Sequence, residues 1–196
     1  MIARTDTKSL LAQSLLELCH KKPVEKISIL ELTKNCSIKR ETFYYHFVDK
    51  ADLINWIYVE GTHALNEKYT GKEPLCITVA RVMRFMRNNE LFFRSVLKDN
   101  FSSQVLHKKL IQNKSERIQD YVKTRLNVRQ LSEELEFAIM FYIVALVNIT
   151  EDWLLNGMKE DERSLAEKIT LVMPKCLADC FDSVSCNGNW TGIDLD

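Results

Sequence analysis

The chain has 196 residues, long enough to bury a sizeable core in one or two domains, and its 46% apolar and 28% charged residues are those of an ordinary soluble protein. A formal net charge of zero excludes a generic polyanion binder, and only 5 Gly and 3 Pro argue for long uninterrupted helices. The charge is unevenly placed: residues 1–50 hold nine Lys or Arg against six Asp or Glu, a net of +3, and the remainder carries −3, so a basic N-terminal module precedes an acidic body.

The stretch Met1-Ile-Ala-Arg-Thr-Asp lacks a secretory pattern, which predicts a cytoplasmic protein whose six cysteines are reduced. Thr5 or Asp6 can cap a first helix over residues 7–21, with Leu11, Leu15 and Leu18 as its apolar stripe. Lys21-Lys22-Pro23 ends it, because proline disfavours helical geometry in the residue before it. Val24 and Ile27 are expected to plug the small core. Ser28 can cap a second, short helix, in which Ile29, Leu32 and Cys36 share a face. Asn35, Cys36 and Ser37 are turn-tolerant. The next helix turns Ile38, Phe43 and Phe47 inward and leaves Lys39, Arg40, Thr42, Tyr44, Tyr45 and His46 mostly on its other sides. Two phenols, an imidazole and two cations suit a negatively charged, hydrogen-bonding partner. The pattern is that of a helix-turn-helix whose second helix is sized for the DNA major groove.

Thr42-Phe43-Tyr44-Tyr45-His46-Phe47, followed by Asp49-Lys50 and a new helix at Asp52-Leu53, resembles the DNA-binding domain of TetR/AcrR transcriptional regulators over residues 8–57. By that resemblance Tyr44, Tyr45, His46 and Lys50 match positions that contact the DNA backbone or position the helix on it. Lys39, Arg40 and Thr42 lie nearer the helix N-terminus, where base edges are reached, and Ser28 could donate to a phosphate. Two residues depart from the family. Ser37 stands where glycine often adopts a left-handed conformation, at a steric cost of roughly 1 kcal/mol. Lys39 replaces the usual serine, putting a cation at a helix N-terminus against the macrodipole. The Asn55-Trp56-Ile57-Tyr58 run resembles a Gram-positive branch of the family that includes activators of dihydroxyacetone-kinase operons.

From Lys50 a longer helix carries Leu53, Ile54, Trp56, Ile57, Ala64 and Leu65; in the family this element transmits ligand-dependent movement. Tyr69 to Glu73 reads as a loop, residues 74–88 as a helix starting at Pro74, and Leu91 to Leu97 as a short apolar one. Ser102 or Ser103 opens a long helix to Leu126. Ser132, followed by three glutamates, opens another to Leu155, with Gly157 as its stop. The apolar run Phe137–Ile149 is too short to span a bilayer, so a buried helix and no membrane are expected. The last helix, Arg163 to Phe181, should kink at Pro174, and residues 187–196 have no period and are expected to be loose, with Trp190 as the one residue that could dock.

The expectation is an all-α protein of about nine helices: a helix-turn-helix domain over 1–50, a regulatory and dimerisation domain over 51–186, and a tail. The helix from Ser132 is apolar nearly all round, which with the last helix suggests a symmetric four-helix dimer interface. The family encloses a small-molecule effector in the body; candidates here are Met86, Phe92, Arg94, Tyr121, Tyr142 and Trp153, residue types that at helical spacing also build plain core. Cys176 and Cys180 are four apart, with Cys186 close behind, the spacing of a conceivable thiol switch, but two ligands do not make a metal site. A Gly-rich phosphate loop, a His-Glu-x-x-His and a nucleophile elbow are all missing, so no enzyme, cofactor or metal is expected. The implied function is a homodimeric regulator of double-stranded DNA at a near-palindromic operator, a repressor released by an effector. The alternatives are a helical protein-interaction module and a co-regulator-dependent activator.

Overall fold

The computed structural model describes residues 6–67 and 73–195, the side chains of 64–67 excepted. The Thr5 cap, the apolar positions Ala64 and Leu65, and residues 69–72 of the expected loop lie outside the described residues. The elements are α1 (Thr7–Cys19), a 3-10 turn (Val24–Lys26), α2 (Ile29–Asn35), α3 (Arg40–His46), α4 (Lys50–Glu67), α5 (Leu75–Asn88), α6 (Glu90–Lys98), α7 (Asn100–Leu126), α8 (Glu133–Leu155), α9 (Glu162–Leu171) and α10 (Lys175–Ala178). The fold is all-α. It divides into two compact units, one of residues up to Ala64 with Asn88–Leu106, the other of Leu65–Arg87 with His107–Asp196.

The first unit is therefore larger than residues 1–50. Its core joins Leu11, Leu15, Leu32, Phe43, Leu53 and Ile57, all fully buried, and α6 closes it from a distant part of the chain. Val24 N–H donates to Ser95 Oγ at 2.6 Å, and Tyr58 meets Phe93 edge-on with ring centroids 6.4 Å apart. The caps explain where its helices begin. Asp6 accepts the Ser9 N–H at 2.7 Å and starts α1, which ends two residues before the sequence expectation. Ser28 and Glu31 form a reciprocal capping box at the head of α2: Ser28 Oγ accepts the Glu31 N–H and Glu31 Oε2 accepts the Ser28 N–H. Lys22 pairs with the same carboxylate. The Lys22 ammonium, followed by the Ser28 donors, holds the Glu31 carboxyl down to about 2. The turn to α3 passes through Ser37 at φ +55°, the left-handed conformation expected there, with the Ile38 N–H returned to Thr33 O at 2.9 Å.

The second unit is built on α8. Ala138, Ile139, Tyr142, Ile143, Val147, Trp153 and Leu154 face inward, while Phe137, Met140, Phe141, Val144, Ile149 and Leu155 face out. Its 23 residues are long and apolar enough to cross a membrane by length and composition alone, a correction to the estimate from Phe137–Ile149. Half of its most apolar stretch is buried. Ser132 caps it through the Leu135 N–H, and Gly157 at φ +82° ends it. A buried ion-pair cluster tightens the unit. Glu162, 2% exposed, accepts from Arg87 Nε at 2.9 Å and lies 2.6 Å from Arg84 Nε, while Arg87 Nη2 also donates to the carbonyls of Met158 and Glu160.

Three expectations about element ends are corrected. α7 begins at Asn100, two residues before Ser102, because Asp99 takes the cap and accepts the Ser102 N–H at 3.1 Å. The last helix does not kink at Pro174 but breaks: α9 stops at Leu171 and Pro174 becomes the cap residue of α10, which gives ten α-helices among the described residues. The tail is not loose. Leu195 is buried, Arg163 Nη2 donates to Ile193 O and lies over the Trp190 ring, and Gly188 N–H donates to Glu167 Oε1. An aperiodic segment forms no helix, but side chains of α9 satisfy its backbone groups instead.

Ser28→Ala should cost about 1 kcal/mol in urea unfolding through loss of the cap. Glu31 has a depressed folded-state pKa, so its stabilisation is complete above its ordinary value of 4.5 and is lost as pH falls toward about 2. In Glu31→Gln that part of the acid-side slope should vanish; an unchanged slope would remove Glu31 from the balance.

Candidate nucleic-acid interface

The site is the outer face of α3, and burial of its inner face creates it. Phe43 is fully buried and Phe47 is 3% exposed, their rings 5.8 Å apart, and Phe47 meets Trp56 of α4 at 6.0 Å. With those two side chains pinned, helical geometry turns the intervening residues outward. Tyr45 is 84% exposed and Tyr44 48%. Lys39, Arg40 and Glu41 are also exposed, and Thr42 and His46 are half-buried.

The exposed side chains are partly organised. Arg40 Nη2 donates to Tyr44 Oη at 3.3 Å, and its guanidinium lies 5.6 Å from the centre of the Tyr44 ring. Tyr44 in turn meets Phe43 edge-on at 5.4 Å, so the buried ring sets the tyrosine and the tyrosine sets the arginine. Tyr45 stands edge-on to His46 at 4.9 Å. Lys39 occupies the N-cap position without a side-chain cap bond, and the Thr42 N–H returns to the Lys39 carbonyl at 3.0 Å.

Two further residues of the expected set, at the starts of α2 and α4, have partners within the fold. Lys50 Nζ donates to the carbonyls of Val24 at 2.5 Å and Ile27 at 2.9 Å. Burial pulls its ammonium below the ordinary lysine value, opposed by the charge of Asp99. It ties the segment before α2 to the start of α4. Ser28 is exposed, but its hydroxyl donates to Glu31 Oε2 at 3.0 Å. An open groove of about 460 Å³ beside them is lined by Glu25, Ser28, Asp49, Lys50, Asp99 and Phe101. Three carboxylates against one ammonium do not suit a phosphate.

The six candidates for an effector site have local roles. Phe92 and Arg94 belong to the first unit; Phe92 packs edge-on against Phe93 and Arg94 pairs with Glu90 one turn away. In the second, Met86 is buried, Tyr121 stacks on Phe181 at 4.9 Å, Tyr142 Oη donates to Ile169 O at 3.1 Å, and Trp153 Nε1 donates to Glu160 O at 2.9 Å. Burial pushes the Tyr142 phenol well above its ordinary value. Sequence reasoning missed the Arg87–Glu162 pair, whose members stand 75 residues apart with no shared motif. It also missed that Cys186 lies against Cys76, with Sγ atoms 2.7 Å apart, and not beside Cys176 or Cys180.

A family description, the TetR transcriptional regulator C-terminal region, matches residues 78–175, half of the chain. The dhaKLM operon transcriptional activator DhaS of Lactococcus lactis subsp. lactis (strain IL1403) is 23% identical over 93 residues, 46% of this chain, and the match spans about half the length of that relative. A solved structure of a dihydroxyacetone kinase operon activator DhaS superposes with a TM-score of 0.63 at 16% identity, over 90% of this chain and 98% of that one. A TetR regulator from Rhodococcus sp. RHA1 gives 0.59 at 15% identity, over 84% and 94%. The multidrug binding protein EbrR in complex with imidazole gives 0.54 at 15%, over 87% and 97%. The helix-turn-helix that carries the TetR-like motif and the regulator C-terminal region matched over half of the chain agree, and the chain belongs to the TetR family of transcriptional regulators.

Proposed function

We propose that the chain is a sequence-specific DNA-binding transcriptional regulator that acts as a homodimer and responds to a small-molecule effector. The observation that carries the DNA reading is the outer face of α3, where Tyr45, Tyr44, Arg40 and Lys39 are exposed above a fully buried Phe43. Arg40, Lys39 and Thr42 reach base edges at the helix N-terminus, and Tyr44, Tyr45 and His46 fix the helix on the phosphate backbone. Ser28 and Lys50 act at one remove, by holding α2 and α4 in register with α3.

The homodimer is supported by the outward stripe of α8. Phe137 and Phe141, 74% and 62% exposed, stack on each other, and Leu171 and Val172 at the end of α9 are 76% and 69% exposed. Exposed apolar side chains on both of these helices are the kind of surface that marks an interaction site. A second copy is the occupant that such a self-complementary stripe fits, and two copies would present two α3 helices to half-sites about one helical turn apart. An effector is supported by the family and by the imidazole bound to EbrR. Binding would act by favouring one spacing of the two α3 helices over another. Release of a repressor is the family default; activation is a second reading, favoured by the likeness to DhaS, which is an activator.

Selection from a random duplex pool should recover a near-palindromic site. Recovery of no motif by the folded dimer would favour the protein-interaction alternative. On the selected site Tyr45→Ala should weaken binding to all variants alike, whereas Arg40→Ala should change the base profile; an identical profile would end its base-reading role. Lys50→Met should weaken binding and lower the unfolding midpoint without altering the salt slope. A slope shallower by about 0.9 would mean that its charge meets a phosphate.

Phe141→Glu should yield a monomer in sedimentation and lower operator affinity at least roughly tenfold, since a dimer adds the binding of two half-sites. A dimeric Phe141→Glu protein would move the interface off α8. Transcription from the selected promoter with purified protein separates repression from activation.

A further inference from the structure

We propose that Cys76 and Cys186 form a reversible disulfide, an oxidative modification site that fastens the C-terminal segment to the first turn of α5. Their Sγ atoms lie 2.7 Å apart although 110 residues separate them in sequence. Both belong to the second unit. Cys76 is fully buried and Cys186 only partly so, which makes Cys186 the sulfur an external reagent meets first.

The surroundings hold the pair together from both sides. Leu75 N–H donates to Ser183 O and Cys76 N–H to Val184 O, each at 3.0 Å, so the C-terminal segment satisfies two open donors at the head of α5. Beyond Cys186, Gly188 N–H donates to Glu167 Oε1 at 3.2 Å, and Ser185 Oγ bonds Glu167 Oε2. Residues on both sides of Cys186 are thus fixed to α5 and α9. A disulfide is about 2.05 Å long, so the sulfurs need approach by only roughly 0.7 Å.

The same cluster invites a metal reading, since the Glu167 carboxylate and both sulfurs lie within 4.8 Å of one another. Geometry argues against it. Tetrahedral zinc with bonds of about 2.3 Å holds two sulfurs roughly 3.7 Å apart, so this pair would have to part by about 1 Å. Both Glu167 oxygens also already accept hydrogen bonds.

The chemistry is thiol–disulfide exchange with a small-molecule disulfide. The Cys186 thiolate attacks one sulfur of that reagent and forms a mixed disulfide, and the first reagent thiolate leaves and takes up a proton. Cys76, on losing its proton, attacks Cys186 Sγ; the protein disulfide closes and the second thiol departs. Two protein thiols are oxidised by two electrons and one reagent disulfide is reduced to two thiols. Burial raises both thiols above their ordinary value, so the exchange is slow at neutral pH and faster in mild base. Closing so long a loop should raise the unfolding midpoint by something on the order of 10 °C.

The test incubates the purified full chain with glutathione disulfide, alkylates it under denaturing conditions and maps its peptides without reduction. The expected result is a Cys76–Cys186 cross-link, a chain lighter by two hydrogens, and a raised midpoint that dithiothreitol reverses. The Cys176→Ser, Cys180→Ser double variant should keep all three. Cys186→Ser, at the half-exposed position, should lose all three while retaining its helical circular dichroism, and it carries the test if Cys76→Ser does not fold. The proposal is overturned if both cysteines are alkylated after oxidation, if Cys186 stops at a glutathione adduct, or if the cross-link maps elsewhere. It is overturned equally if the reduced chain retains one zinc ion that Cys186→Ser loses.

Discussion

A helix of seven residues does not hold its shape in water, because the cost of nucleating it is spread over too few hydrogen bonds. α3 is seven residues long and lacks a side-chain cap. What keeps it helical is the full burial of Phe43, with α3 packed on α2, and the burial of Phe47 beside Trp56. The rest of the first unit serves that burial. α1 supplies Leu11 and Leu15, the capping box starts α2 at the right residue, Ser37 accepts a left-handed turn, and Lys50 ties α4 back to the carbonyls of Val24 and Ile27. The exposed face is a consequence: once the two phenylalanines are inside, helical geometry puts Tyr44, Tyr45, Arg40 and Lys39 on the outer side.

That dependence separates two kinds of polar residue near α3. Arg40 is held by Tyr44, and Tyr44 by Phe43, so its guanidinium is oriented without being neutralised. Such an arrangement lowers the ordering cost of binding. Lys50 and Ser28 instead have carbonyl or carboxylate partners within the fold: two of the three Lys50 ammonium donors meet the Val24 and Ile27 carbonyls, and the Ser28 hydroxyl meets Glu31. The acidic groove beside Lys50 reinforces the distinction.

The second unit shows the same economy in a different form. α8 is apolar on two faces; the core takes one, and the other stays exposed along Phe137, Phe141 and Val144. Arg84 and Arg87 join α5 to the start of α9 through the buried Glu162 carboxylate, whose charge would be left uncompensated if both arginines were removed. The C-terminal segment, which has no helical periodicity, is held by backbone N–H groups at the head of α5 and by side chains of α9.

Sequence alone determined the elements whose cause is local. The all-α class, the position of the turn, the inward set of Phe43 and Phe47, the Ser132 cap with its three glutamates and the stop at Gly157 follow from period, capping chemistry and backbone sterics, which neighbours in sequence decide. The TetR-like motif was legible for the same reason, since its residues fall within one turn and two short helices. Tertiary structure decided what depends on partners far along the chain. The first unit reaches beyond residue 50 because α6 packs into it, and Pro174 breaks its helix where a kink was expected. The tail docks because Arg163 and Glu167 meet it, and Cys186 faces Cys76 across 110 residues. Whether a lysine or serine is free to bind is set by which carbonyl or carboxylate lies within 3 Å of it, and residue identity and spacing do not encode that distance.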